Sequence, residues 1–454
     1  MNKLAKRAWF ALALAAVLAV GLVTIFVRYF LHASDWVTFQ SSPHVYSNGV
    51  LDSGIITDRN GTTLLDATNG LHYAEDSELR KAALHLLGDR AGNISAFLLD
   101  RYGDELIGYN AFTGAYHYAS GSGKMRLSVS AEAQKAAYLA LNGRKGTVGV
   151  YNYKTGEILC AVSTPTFDPD NVPDISADLE TYDGVYFNRF FHGSYPPGSV
   201  FKLVTATAAL ECIDGIEGRT FHCEGSVEIS GQTVVCNGWH GDIGFEQALA
   251  KSCNVAFAEI AVELGADTLT RYAERLGVTQ SLSFDGLTTA SGSFDLSAAD
   301  RYQTAWAGVG QFTDQINPCQ YMTLMGAIAN GGKAAQPYLV SRVAYGKSTQ
   351  YEAKTETASR VMQRETADTL AEMMHYAVVN IYGEWYFSGL YAGAKSGTAE
   401  VREGEAPNAV LAGFTQDERY PLAFVVVVEN GGSGSSTCTP IIKQVLDACI
   451  ISME

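Results

Sequence analysis

The spacing of apolar and polar residues sets an N-terminal apolar run apart from the rest of the chain. Lys3, Lys6 and Arg7 are followed by no charged residue from Ala8 to Val27. About 20 apolar residues are enough for a helix to cross a bilayer, and a short basic end favours the cytoplasmic side. The run is longer than the core of a signal peptide, which is the alternative. The sequence therefore predicts an uncleaved anchor over residues 1–31, with the rest of the chain exported.

Beyond the anchor, the hydrophobic spacing predicts strands at both ends of a long helical region. Short apolar runs bounded by turn residues predict strands within residues 146–164 and again within 408–431. Helical spacing and end signals predict helices in the following segments: 130–143, 199–211, 318–332, 364–379 and 440–450, with two helices in 245–265 that break near 251–254. This order predicts an α+β fold with α/β-type layering, in which one mostly antiparallel sheet takes its edges from both ends of the region and helices cover it.

A small, polar stretch, "ASGSGKM" at residues 119–125, is a plausible domain boundary. It separates residues 32–124 from a larger domain at 125–454. The first of these contains "GIITDRNGTTLLDATNG" (54–70), which predicts a strand, a turn and a second strand.

Charge and cysteine content exclude two classes of protein. The formal net charge of −16 argues against a nucleic-acid partner, because phosphate binding needs basic patches. Eight cysteines in 454 residues are too few for a disulfide framework. The fold therefore does not depend on them.

The candidate chemistry begins at "SYPPGSVFK", where Ser199 precedes Lys202 at a predicted helix start. Residues i and i+3 share a helix face, so the lysine amine is able to approach the serine hydroxyl and activate it. That activation requires a lysine pKa lowered by burial or by nearby cations. By itself this pair is weak evidence, because an N-capping serine and a surface lysine have the same spacing.

Two further motifs follow in order. Ser252 and Asn254 lie in "KSCN", and "AKSGTAE" contains Lys395 followed by Ser396, Gly397 and Thr398. Ser-x-x-Lys and Ser-x-Asn each occur once in the chain. An earlier Lys-Thr-Gly at residues 154–156 lies in a predicted hairpin turn and is assigned to structure. The ordered set of three motifs is far more specific than any one of them.

In these motifs the chain resembles the penicillin-binding proteins, the acyl-serine transferases that also include serine β-lactamases. The segment at 54–65 is similar to the start of the non-catalytic pedestal of class B, monofunctional members. The resemblance implies that 32–124 is a short pedestal and 125–454 a transpeptidase domain. Too few residues precede that domain for the glycosyltransferase of class A members.

The resemblance implies a peptidoglycan D,D-transpeptidase that takes no cofactor and no catalytic metal. Ser199 would be acylated, Lys202 would be its base, and Ser252 would relay a proton. Asn254 would hold a substrate amide, and Lys395 the terminal carboxylate. Ser396, Gly397 and Thr398 would bind substrate, with the backbone N–H groups of Ser199 and Thr398 forming the oxyanion hole.

The same acylation also fits a D,D-carboxypeptidase or a β-lactamase, and a non-catalytic β-lactam sensor or scaffold is the third alternative. The resemblance implies stem peptides and β-lactams as ligands. It also implies, as a partner, a SEDS-family lipid-II polymerase that contacts the anchor and pedestal.

The segment "FHCEGSVEISGQTVVCNGWHG" raises a separate question. Cys223 and Cys236 flank a predicted hairpin, with His222 and His240 nearby. A disulfide is favoured in an exported domain, and free thiols and a zinc site are the alternatives, although the spacing is not of the Cys-x-x-Cys type. Cys253, inside the second motif, is interpreted as a small packed residue.

Overall fold

A computed structural model of the protein describes residues 2–37, 46–47, 50–51, 54–68, 70–109, 123–401 and 404–454. The α-helices are Asn2–Val37, Ser77–Leu87, Phe97–Ile107, Ala131–Leu141, Arg189–His192, Lys202–Cys212, Phe245–Ala250, Asn254–Leu264, Ala266–Arg275, Arg301–Val309, Pro318–Ala329, Arg364–Ala377 and Gly434–Met453. Most of the predicted boundary stretch, residues 119–122, lies outside the described residues.

A five-stranded sheet forms the centre of the molecule. In spatial order its strands are Ala392–Ala399, Asn408–Thr415, Leu422–Val428, Gly146–Asn152 and Ile158–Thr164. Each neighbouring pair is antiparallel. The two edges come from opposite ends of the region, as the sequence predicts, and the first strand in this order is an edge strand.

Helices cover both faces of the central sheet. Ala131–Leu141 and Gly434–Met453 pack on one face, within one apolar cluster. Pro318–Ala329 and Arg364–Ala377 pack on the other, within a second cluster. Buried on both sides, the inner strands have no exposed residue, which explains their nearly continuous apolar sequence. The layered α+β fold is confirmed.

A second, six-stranded sheet joins the N-terminal region to the later chain. Its strands, in spatial order, are Ser348–Glu352, Val340–Tyr345, Gly123–Leu127, Gly54–Thr57, Thr63–Asp66 and His72–Tyr73. The predicted strand–turn–strand at 54–70 is therefore present. The predicted domain boundary after residue 124 falls inside a strand of this sheet, and strands from the larger region complete it.

Buried Asp285 strengthens this junction. Its carboxylate accepts hydrogen bonds from the hydroxyl of Tyr102 at 2.6 Å and from the backbone N–H groups of Leu339 and Val340 at 2.6 and 3.1 Å. Hydrogen bonds to a charged acceptor are stronger than neutral ones. They tie a helix of the N-terminal region to residues beside the second sheet.

The four remaining described strand pairs are short and local. They are Tyr46–Ser47 with Val50–Leu51, Thr220–Cys223 with Gly241–Gly244, Ser226–Ile229 with Gln232–Val235, and Ser283–Phe284 with Leu287–Thr288. The N-terminal helix has a long apolar stretch within Lys3–Ala33, and none of its most apolar window is buried in the structure. Its length and composition fit a single-pass membrane anchor.

Candidate active site

Ser199 lies in a tight turn that leads into the helix Lys202–Cys212. The turn is the 3₁₀ segment Gly198–Phe201. Gly198 has a φ of 55°, and a Cβ on it would lie 2.7 Å from the carbonyl oxygen of Thr398. A glycine is therefore required here, and it lets the serine turn press directly against the edge strand of the central sheet.

Lys202 lies at the centre of the site and contacts residues of both motifs. Its Nζ lies 3.0 Å from Oγ of Ser199 and 2.7 Å from Oδ1 of Asn254. The same nitrogen lies 2.8 Å from the carbonyl oxygen of Ser252 and 3.1 Å from its Oγ. The structure thus brings the first two sequence motifs together around one amine.

Burial changes the protonation of this amine. The side chain of Lys202 is 0% exposed, and loss of hydration lowers its pKa to about 7. The thiols of Cys236 and Cys253 act weakly in the opposite direction. Desolvation dominates because the charged form of a lysine is penalised in a low-dielectric interior. At neutral pH a large fraction of Lys202 is therefore an uncharged base.

Ser252 occupies the break between helices Phe245–Ala250 and Asn254–Leu264 that the sequence predicts. Its φ of 57° is left-handed, which is uncommon for a residue other than glycine. This conformation turns both its hydroxyl and its carbonyl towards Lys202. Strained backbone of this kind persists only where surrounding contacts hold it.

Lys395 approaches the same hydroxyl from the edge strand. Its Nζ lies 3.0 Å from Oγ of Ser252 and 2.7 Å from the carbonyl oxygen of Ser396. The side chain is 0% exposed. Burial lowers its pKa well below the usual range, and the nearby charge of Lys202 lowers it further. Oγ of Ser252 therefore bridges two buried amines.

These groups lie at the floor of a groove with a cavity volume of about 1270 Å³. Ser199, Ser252, Asn254, Ser396 and Thr398 line it. The third motif lies inside the edge strand Ala392–Ala399. Because this strand has a partner on one side only, its other side borders the groove.

Gly397 packs closely against the serine turn. It is buried there, and a Cβ on it would lie 2.4 Å from the carbonyl oxygen of Pro197 and 3.2 Å from the backbone nitrogen of Val200. Its small size therefore serves the close approach of strand and turn. Its contact with substrate, which the resemblance implies, stays a prediction.

Sequence reasoning missed two polar contacts of the edge strand. The hydroxyl of Tyr382 accepts a hydrogen bond from the backbone N–H of Ser396 at 2.9 Å and lies 3.1 Å from its Oγ. Nε2 of Gln311 donates to the carbonyl oxygen of Thr398 at 3.1 Å. Both residues also line the groove. No local motif marks either of them.

The earlier Lys-Thr-Gly proves to be structural. Residues 154–156 form the turn between strands Gly146–Asn152 and Ile158–Thr164. Oδ1 of Asn152 accepts from the backbone N–H groups of Lys154 and Thr155 at 2.9 and 3.0 Å. The turn residues thus serve the hairpin, as predicted.

The disulfide expected between Cys223 and Cys236 is not formed, because both are free thiols in the structure. The predicted hairpin between them is Ser226–Ile229 paired with Gln232–Val235. His222 is exposed and engaged with Asp242 and Glu224 at 2.6 and 3.2 Å. The ring nitrogens of His222 therefore pair with carboxylates and not with Cys223 or Cys236.

The comparisons with known proteins agree with this geometry. Residues 146–447 match the family described as the penicillin binding protein transpeptidase domain. The chain is 26% identical over 415 residues to the peptidoglycan D,D-transpeptidase PbpA of Mycolicibacterium smegmatis, which covers 85% of this chain and 80% of that protein.

Solved structures show the same fold. The ceftriaxone acyl-enzyme complex of penicillin-binding protein A from M. tuberculosis superposes with a TM-score of 0.76 at 23% identity, covering 87% of this chain and 98% of that one. The D,D-transpeptidase domain of a peptidoglycan glycosyltransferase from Eggerthella lenta gives 0.74 at 25% identity, covering 88% and 98%. The chain therefore belongs to the penicillin-binding protein transpeptidase family, which confirms the class inferred from the motifs.

Proposed function

We propose that this protein is a membrane-anchored peptidoglycan D,D-transpeptidase that works through an acyl-enzyme on Ser199. The observation that carries the proposal is the convergence of three motifs from distant parts of the chain. Ser199, Ser252 and Asn254 all lie within 3.1 Å of the buried amine of Lys202. Lys395 reaches the same Ser252 hydroxyl.

The surroundings of Lys202 support its role as the base. A neutral amine has two N–H donors and one lone pair. The carbonyl oxygen of Ser252 and Oδ1 of Asn254 only accept hydrogen bonds, and they are its nearest neighbours at 2.8 and 2.7 Å. These two oxygens accept hydrogen bonds from the two N–H groups of the amine. The lone pair of the nitrogen therefore remains available for the hydroxyl proton of Ser199. The site thus presents the lysine to the serine in the form that removes a proton.

Acylation follows from this arrangement. Oγ of Ser199 attacks the carbonyl carbon between the two D-alanines as its proton moves to Lys202. The C–N bond then breaks, and the departing amine takes a proton through the hydroxyl of Ser252. D-alanine leaves, and an ester joins the stem peptide to Ser199. The backbone N–H groups of Ser199 and Thr398 are assigned to the developing oxyanion.

The second half of the reaction transfers the acyl group from Ser199 to an acceptor amine and reverses the order of the acylation steps. The amine of a second stem peptide attacks the ester carbonyl and gives up a proton along the same path. The C–O bond breaks, Ser199 regains its proton, and an amide cross-link is released. An extended peptide would lie along the edge strand that borders the groove. Asn254, Ser396 and Thr398 line the groove beside that strand and supply side-chain contacts.

The anchor and the pedestal suit an active site that works at the cell wall. The anchor at residues 1–31 would place the domain at 125–454 outside the cytoplasm, since its tip is basic. The pedestal at 32–124 and the anchor would contact a SEDS-family lipid-II polymerase. Co-purification with that polymerase that survives deletion of residues 1–124 would count against this contact.

The experiment is intact-mass analysis of the full-length protein in detergent after incubation with benzylpenicillin. We expect one stable adduct of the drug's mass, and peptide mapping places it on Ser199. Ser199→Ala is the test variant, and Ser194→Ala, five residues upstream, is the matched control. Incubation with a D-Ala-D-Ala stem peptide and an amine acceptor then distinguishes transfer from hydrolysis.

Each outcome decides between the functions that the sequence leaves open. An adduct lost only in Ser199→Ala, together with a cross-linked product, supports the transpeptidase. Rapid drug hydrolysis without a lasting adduct indicates a β-lactamase instead, and release of D-alanine without transfer indicates a carboxypeptidase. A folded protein that forms no adduct contradicts the proposal.

A further inference from the structure

Three cysteines and one histidine meet beside the second catalytic motif. The ligand atoms of Cys223, Cys236, His240 and Cys253 all lie within 4.8 Å of one another. Cys223 ends the short strand Thr220–Cys223, and Cys253 is the residue between Ser252 and Asn254. The cluster therefore joins a surface hairpin region to the turn that carries the catalytic motif.

Three of the six separations between these atoms match the edges of a tetrahedron around zinc. Zinc bonds of about 2.3 Å to sulfur and about 2.05 Å to nitrogen give tetrahedral edges of roughly 3.8 Å between sulfurs and roughly 3.6 Å between sulfur and nitrogen. Sγ of Cys236 lies 3.8 Å from Sγ of Cys253. Nδ1 of His240 lies 3.5 Å from Sγ of Cys223 and 3.6 Å from Sγ of Cys236.

The surroundings suit metal-bound thiolates. The backbone N–H of Asn254 points at Sγ of Cys236 at 3.2 Å, and that of Ala256 points at Sγ of Cys253 at 3.5 Å. Hydrogen bonds of this kind hold first-shell ligands in place and stabilise their negative charge. Cys223 and Cys253 are each 0% exposed, so two of the ligands are sealed from solvent.

We propose that Cys223, Cys236, His240 and Cys253 bind one structural Zn²⁺ ion. Four protein ligands leave no open position, so the ion takes no part in the chemistry itself. A disulfide would use two of the four groups and give the histidine no role. Four convergent donors of the types that zinc prefers are better explained by a metal.

The proposed ion would position the catalytic turn. Ser252 has a left-handed φ of 57°, and the next residue, Cys253, is a ligand. A metal bond at Cys253 ties this strained turn to the strand that ends at Cys223 and to the loop that holds His240. Ser252 and Asn254 are thereby held against Lys202. The four ligands are positioning residues, and the metal supports acylation through them.

The direct test measures metal in the full-length protein, purified in detergent with a phosphine reductant and without immobilised metal. We expect about one zinc per chain by mass spectrometry of the metal. Protein from cells grown with cobalt should show the intense visible bands of tetrahedral Co²⁺ and the near-ultraviolet charge-transfer band of thiolate ligands. Neither readout depends on catalysis, so the proposal can fail while the transpeptidase proposal stands.

Variants assign the ligands. Cys223→Ser and His240→Ala should each reduce the bound zinc at least tenfold under mild competition from a chelator. Cys212→Ser is the control, because this cysteine lies outside the cluster, with its Sγ 3.4 Å from the hydroxyl of Tyr272. We expect it to keep the zinc. If a ligand variant fails to fold, the cobalt spectrum of the wild-type protein still tests whether the site binds a metal.

Removal of the metal tests the positioning role. Chelation should slow acylation by benzylpenicillin about tenfold or more, and zinc should restore it. Zinc-free protein after gentle purification would overturn the proposal. So would a disulfide between Cys223 and Cys236, found by alkylation and mass mapping of protein purified without reductant. Bound zinc whose removal leaves the acylation rate unchanged would overturn the positioning role.

Discussion

Nζ of Lys202 lies 2.7 Å from Oδ1 of Asn254. This contact makes the amide of the second motif a direct partner of the base in the first. Because the amide oxygen accepts a hydrogen bond but carries no charge, it orients the amine without holding a proton on it. The arrangement explains how Lys202 has a pKa of about 7 inside a polar cluster.

Asn254→Asp tests that reasoning with a nearly isosteric change. A carboxylate in contact with the amine stabilises the ammonium form and raises the lysine pKa by roughly one to three units. We expect acylation by benzylpenicillin at pH 7 to slow at least about fivefold and to recover as the pH rises. The matched control is Asn171→Asp, at an exposed asparagine outside the active-site groove. An unshifted pH profile for Asn254→Asp would contradict the assignment of Lys202 as the base.

The wild-type pH profile is a second prediction. Burial lowers the pKa of Lys202 to about 7, and only the neutral amine accepts the Ser199 proton. The acylation rate should therefore rise with pH through about 7 and level off roughly one unit above, falling about tenfold per unit on the acid side. Stopped-flow acylation with a fluorescent penicillin measures it, with thermal unfolding recorded across the same range. An acylation rate that does not change across pH 7, in protein that stays folded over that range, would contradict the prediction.

Tyr382→Phe addresses a residue that the motifs do not reveal. The change removes the hydroxyl that accepts from the backbone N–H of Ser396 at 2.9 Å. An unsatisfied buried donor costs about 1–2 kcal/mol, which corresponds to roughly a 5–30-fold change in an equilibrium or rate. We expect acylation to slow within that range because Ser396 is no longer held in place, and the melting temperature to fall by a few degrees. Tyr386→Phe, four residues onward, is the control, and equal losses in both variants would argue against a specific role for Tyr382.

The helices and the three motifs could be predicted from the sequence because both depend on patterns within a few residues. Ser130 caps its predicted helix through a hydrogen bond to the backbone N–H of Ala133 at 3.2 Å. The break between the helices on either side of Ser252 also appears where the spacing places it. Hydrophobic period and capping chemistry act over a few residues, so one sequence is enough to reveal them.

The features that were missed depend on contacts between distant residues. The second sheet pairs Val340–Tyr345 with Gly123–Leu127, and no local pattern specifies a partner more than 200 residues away along the chain. The alternation of buried and exposed residues along a strand could, however, have distinguished the role of His222 from that of His240. In the strand Thr220–Cys223, Phe221 and Cys223 are buried and His222 is exposed, so a period of two predicts that His222 points away from the cysteines.

Gly397→Ala tests the packing role of the third motif's glycine. A Cβ there would lie 2.4 Å from the carbonyl oxygen of Pro197, and this backbone atom cannot move aside cheaply. The edge strand and the serine turn must separate, which displaces Ser199 from Lys202. We expect acylation to slow at least about tenfold and the melting temperature to fall by several degrees. Gly218→Ala is the control, because a Cβ there meets nothing within 4 Å. If Gly397→Ala slowed peptide transfer but left penicillin acylation and stability unchanged, the glycine would serve substrate space after all.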